Sequence, residues 1–206
     1  FMINRTRYFN KLDWWLKETR AKFYPRKLTK SDIKILEASF PYFQNLNPSH
    51  QEEFIQKLSR VLSVKEFVGR GGIEEVTPEM EVLIGATIVM VTFGWKRIRL
   101  PHFDKILIYP NAYYSSITKS YHRGEVNPKY GIIVVSWSCF LDGMKDKHDG
   151  VNLGIHEIAH ALKLENQIYY NDESEFFNPT AWTAYQGLVG PEMAKIEAGS
   201  GSILRE

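Results

Sequence analysis

His156-Glu157-Ile158-Ala159-His160 is the part of the chain whose residue types and spacing most plainly do chemistry. On an α-helix, residues four apart share one face about a turn from each other, so both imidazoles can reach one metal ion. Glu157 follows the first histidine and would stand beside that metal, within reach of a bound water. Two nitrogen ligands, a general base and an open coordination position are the minimum of a zinc site that hydrolyses peptides. The expected metal ligands are therefore His156 and His160, the expected base is Glu157, and the expected cofactor is zinc.

The flanking residues set the environment. Val151, Leu153, Ile155, Ile158, Ala159, Ala161, Leu162 and Leu164 make the segment apolar almost all round, which predicts a buried helix. Histidines and a carboxylate on such a helix must pair or ligate something, because lone buried charges are costly. The bland alternative is a satisfied core histidine pair without metal. Asn152, one turn before His156, can orient a ligand, but capping or local packing is the commoner role.

The rest of the chain must position this segment. At 206 residues, with 44% hydrophobic and 24% charged residues, a soluble globular chain with one sizeable core is expected. The net charge is +2 and the basic residues form no single block, which argues against nucleic-acid binding. A mildly basic start, from Arg5 to Lys30, is interleaved with Trp14, Trp15, Phe23 and Tyr24. It reads as a solvated helix face with aromatic core contacts rather than a surface for acidic lipid or a partner. The single cysteine, Cys139, excludes an internal disulfide and CxxC metal sites, and suits a reducing cytoplasm. No signal peptide is visible, and the longest apolar run, Val82 to Phe93, is too short to span a membrane.

The first third reads as helices. Leu12 to Phe23 is amphipathic, Ser31-Asp32 is a candidate cap for a second helix, and Asn47-Pro48 starts a third. Gly69-Arg70-Gly71-Gly72 reads as a turn, not a phosphate loop, because no lysine-serine follows it. Thr77-Pro78-Glu79 starts another helix that runs to Gly94. Lys105 to Tyr109 and Gly131 to Trp137 read as strands. The second strand, Gly131 to Trp137, could pair with an extended peptide along an exposed edge. Tyr113, Tyr114, Tyr121, His122 and Arg123 read as a loop that could line a cleft. Asp142 to Gly150 reads as a linker, with Asp149 as cap of the HExxH helix. A polar loop, Glu165 to Glu175, and a helix from Asn178-Pro179 with a break at Gly190-Pro191 would follow. This order argues for an α+β fold, with a helical region over 1–64 packed on a catalytic core over 65–206.

Four blocks together carry a resemblance: Lys65 to Ala86, Lys105 to Tyr113, Gly131 to Gly143, and Asp149 to Asn166 with its HExxH. In this order they resemble the Mlc titration factor A family of zinc metallopeptidases. The resemblance implies a zincin-like α+β core, zinc on His156 and His160, and Glu157 as base. It also implies short peptide substrates and, for the founding member, a transcriptional repressor as partner. Two departures stand out. Lys163 occupies a position where the family has an acidic residue. The family's third ligand, a glutamate in an NPxEFF-like segment, would fall beyond Glu206, so the core is expected to be truncated and its zinc site incomplete and inactive. Ser174-Glu175-Phe176-Phe177 arrives too early to supply that ligand. If a third ligand lies within the chain, Glu165, Glu173, Glu175, Glu192 and Glu197 are the candidates. His50, His102, His122 and His148 read as surface residues. The rival function, from another class, is a non-catalytic module that sequesters a transcriptional regulator.

Overall fold

The computed structural model describes residues 15–95, 100–115, 119–145 and 152–170, with single positions at 183, 187 and 191. Residues 15–23 belong to a helix, α1. Then come α2 (Lys30–Ser39), α3 (Pro41–Gln44), α4 (Pro48–Val64), β1 (Glu66–Gly69) and α5 (Pro78–Val91). The remainder runs β2 (Lys105–Tyr109), β3 (Tyr113–Ser115), β4 (Ser120–His122), β5 (Gly124–Asn127), β6 (Ile132–Ser136), α6 (Trp137–Lys145) and α7 (Leu153–Tyr170). The fold is α+β.

Helix starts follow their caps. Asn47 accepts from His50 N and Thr77 from Met80 N, each with proline next in line. The second helix departs from the Ser31-Asp32 expectation. Thr29 is its N-cap, and Asp32 reciprocates from the third helical position, accepting from Thr29 N at 2.8 Å. That two-way arrangement satisfies one more backbone donor than a cap at Ser31 could.

The centre of the molecule is α5. It is apolar on every side, and its residues from Val82 to Val89 are buried. Helix α4 sits close against it because Gly85 has no side chain: a Cβ there would stand 2.9 Å from both Leu58 and Leu62. One hydrophobic cluster runs from Leu36 and Phe54 through α5 to Ile158 and Ala161 of α7. Burying a leucine- or phenylalanine-sized side chain in it stabilises by roughly 2 kcal/mol.

The sheet is ordered β1-β2-β6-β5. The first three strands are parallel, with Glu66 opposite Lys105 and Lys105 opposite Ile132. Strand β5 closes the sheet antiparallel to β6, with Gly124 opposite Val135. This overturns the expectation of a free edge on Gly131 to Trp137. Strand β6 is paired on both sides, as its β-branched, buried residues suit, and Trp137 already begins α6. The shorter, more polar β5 is the edge strand on that side, and β1 is the edge strand on the other. Strands β1 and β5 lie in segments not expected to be strands. Tyr113, Tyr114, Tyr121 and His122 form the antiparallel pair β3–β4 rather than a loop.

Three further expectations change. Residues Asp142 to Lys145 are helical, in α6, rather than part of a linker; the rest of that expected linker lies outside the described residues. Helix α7 continues to Tyr170, into the first part of the stretch expected to be a polar loop, with Glu165 buried against partners described below; residues 171–175 lie outside the described residues. Trp15, Phe23 and Tyr24 are 60%, 68% and 80% exposed rather than packed on the core as expected, and Trp14 lies outside the described residues. Thr183, Gly187 and Pro191 are helical; the expected start at Asn178 and the cap at Asp149 lie outside the described residues. No helix among the described residues is long and apolar enough to cross a membrane.

Candidate active site

Helix α7 carries the HExxH residues, and Asn152 starts it. Its Oδ1 accepts from Ile155 N at 2.9 Å, its backbone oxygen accepts from His156 N at 2.9 Å, and its Nδ2 donates to Gly143 O at 3.0 Å. Asn152 is thus a cap tied to α6. Two turns of α7 then meet the core through Gly154. A Cβ there would lie 2.6 Å from the Phe140 ring and 3.2 Å from Thr87, so the glycine lets α7 approach α6 and α5.

The helix is amphipathic rather than buried all round. Gly154, Glu157, Ile158, Ala161 and Glu165 are buried, whereas Ile155, His156, Ala159 and His160 are exposed. The apolar residues on the open face are small or flank the histidines, and the sheet and α5 cover the other side. His156 and His160 therefore sit side by side on an accessible face. Their Nε2 atoms are 3.0 Å apart, with ring centroids at 4.4 Å and planes at 76°. Two nitrogens each about 2.0–2.1 Å from a tetrahedral zinc stand roughly 3.3 Å apart, so the pair fits the bite of such an ion. Partial burial, then the neighbouring His156 and Lys163, hold His160 below the usual imidazole range. That favours the neutral ring a metal needs. Lys163 is exposed.

Glu157 is only 6% exposed. Its carboxylate lies against the backbone of β5: a Cβ on Gly124 would stand 2.5 Å from Glu157 Oε1. Burial, then the Glu125 carboxylate, push the Glu157 carboxyl up to about 7. Glu125 itself accepts from Tyr113 Oη at 3.0 Å, and Tyr113 stacks on Tyr109 with centroids 4.5 Å apart. Burial, then the bond to Glu125, push the Tyr113 hydroxyl above the usual phenol range. Glu125 escaped the sequence reading. The only signal was the alternation Glu125-Val126-Asn127 after Gly124, too short to mark a strand.

Glu165 is placed elsewhere. It is fully buried, accepts from His102 N at 3.1 Å, and faces the buried Lys65, whose Nζ donates to Leu100 O and Phe103 O at 2.6 Å each. It lies half a helical rotation from His156, which removes it as a third ligand beside the histidines. Glu173, Glu175, Glu192 and Glu197 lie outside the described residues. Among the described residues, no group of three histidine, cysteine, aspartate or glutamate side chains is placed to hold a metal. His102 is part-buried, its ring meeting Pro128 O, rather than a free surface histidine.

Comparison with known proteins gives the class. The chain belongs to a family of metallopeptidases: the model of the glucose-regulated metallo-peptidase M90 family matches residues 12–201. It is also similar to the uncharacterized protein slr2042 of Synechocystis sp. (strain ATCC 27184 / PCC 6803 / Kazusa), 24% identical over 161 residues. That match covers 73% of this chain and 58% of the relative, so the chain spans less than two thirds of the relative's length.

Proposed function

We propose that the chain is a zinc-dependent peptidase with His156 and His160 as zinc ligands, Glu157 as general base and a third zinc ligand from outside the described residues. The observation that carries this reading is the pairing of two Nε2 atoms 3.0 Å apart with a buried carboxylate on the next residue. Zinc, when bound, polarises a carbonyl and acidifies a water. Glu157 takes the proton of the attacking water and returns it to the leaving amine. A carboxyl raised to about 7 is suited to both transfers near neutral pH. Gly124 leaves the space that the Glu157 carboxylate occupies. No strand pairs with the outer edge of β5 among the described residues, and an extended peptide can add there by backbone hydrogen bonds, beside the histidines.

The test is hydrolysis of a mixed casein digest. Activity should vanish with a chelator, return with zinc, and fall in His160→Ala. Activity indifferent to the chelator would contradict the zinc assignment. Binding of a transcriptional regulator without any peptide cleavage would favour the sequestering module instead.

A further inference from the structure

Strand β5 carries a second carboxylate for which the peptidase chemistry has no use. Side chains alternate along a strand. Gly124 abuts Glu157 and Val126 packs on the core, so both point to the α7 side. Glu125 and Asn127 then lie on the opposite face. There Glu125 is held by neutral donors only, Tyr113 Oη at 3.0 Å and Asn127 Nδ2 at 3.5 Å. No lysine or arginine pairs with Glu125 or Glu157 among the described residues. Glu157, 6% exposed, also has no hydrogen-bond donor among them.

Two carboxylates close enough to repel thus flank one strand edge without a cation paired to either among the described residues. On the α7 side, the histidine pair can bring a metal. On the other face no lysine or arginine among the described residues pairs with Glu125, and a ligand can bring the positive charge. A peptide paired with the free edge of β5 sends alternate side chains to the two faces. Those on the α7 side meet the histidines, and those on the far side pass Glu125.

We infer that Glu125 is a specificity-determining residue that accepts a lysine or arginine side chain from a peptide lying along β5. This rests on the peptidase reading for the peptide's path. Tyr113 is its positioning residue, fixing the carboxylate at the edge.

The test uses the zinc-loaded chain and three sets of alanine peptides, carrying lysine, glutamate or norleucine at a single walked position. Each set is made blocked at both ends and again with a free N-terminus. The sets are digested together and the products quantified by mass spectrometry. At one position lysine should be preferred about fivefold, as expected of a partly exposed ion pair. The preference should disappear in Glu125→Gln, which can still accept from Tyr113. In Glu125→Lys it should invert towards a glutamate peptide. An unchanged preference in both variants overturns the inference. So does a Glu125-dependent effect that appears only with unblocked N-termini, since the α-ammonium would then be the cation. Saturation-transfer NMR of the same peptides separates this from the parent reading. Glu125-dependent lysine binding without cleavage sinks the peptidase and keeps the cation site. Cleavage without Glu125-dependent selection keeps the peptidase and sinks the site, and neither binding nor cleavage sinks both.

Discussion

Helix α7 buries two glutamates, and they are treated in opposite ways. Glu165 is fully buried, accepts a backbone N–H from His102 and faces Lys65. Glu157, two turns earlier and 6% exposed, has no donor among the described residues and another carboxylate nearby. A buried carboxylate with partners fastens elements together. A buried carboxylate without partners costs stability, and it persists where something outside the chain completes it. The difference separates a residue that holds α7 in place from one that α7 presents.

The largest stability effect should come from the partnered residue. Glu165→Ala strips the strongest carboxylate influence from buried Lys65 and removes the carboxylate that accepts from His102 N. We expect a loss of about 3–4 kcal/mol in urea unfolding. The pH dependence sharpens the same point. Lys65 is pushed down to about 7 from 10.5, chiefly by burial. Between those values the unfolded chain holds more protons, so this group makes stability rise with pH. Glu165, raised from 4.5 to about 8, chiefly by burial, acts in the opposite direction, making stability fall as pH rises between those values. In wild type the two oppose one another between about 7 and 8. In Glu165→Gln only the rising limb should remain, read from unfolding midpoints across that range. A flat profile would mean that Lys65 is not held down in the folded state.

Next in size is Gly124→Ala. The added methyl needs the space of the Glu157 carboxylate. Overpacking of this kind costs roughly 1–3 kcal/mol, and the displaced carboxylate should lower kcat while KM holds. Equal loss in kcat and KM effects through unfolding would argue for a purely structural clash. Smaller again is Asn152→Ala, which removes the α7 cap and should cost about 1 kcal/mol, seen as a lower Tm with zinc affinity nearly unchanged.

The comparison also marks what the sequence made legible. Thr77-Pro78 and Asn47-Pro48 announced their helices because a cap is a local event, complete within four residues. The i, i+4 spacing of His156 and His160 is local too. The burial of α7 was misjudged, since apolar residues all round say nothing about which side the sheet covers. Strands β1 and β5 were illegible because each is four residues long and stabilised by pairing with distant partners. Glu125 could not be found for the same reason: only the register of β5 on β6 brings it towards Glu157. Glu165, an expected ligand candidate by residue type, needed the position of Lys65 and His102 to be recognised as a fastening.

The most direct measurement takes Glu157→Gln through three readings on one preparation: unfolding in urea, zinc content and peptide hydrolysis. Removing an unpartnered buried charge should leave stability equal or higher, within about 1 kcal/mol. Zinc should stay bound by His156 and His160, and hydrolysis should fall by about 10²–10⁴-fold. A protein that loses its zinc, or unfolds as readily as Glu165→Ala, or cuts peptides at the wild-type rate, would contradict the role assigned to Glu157.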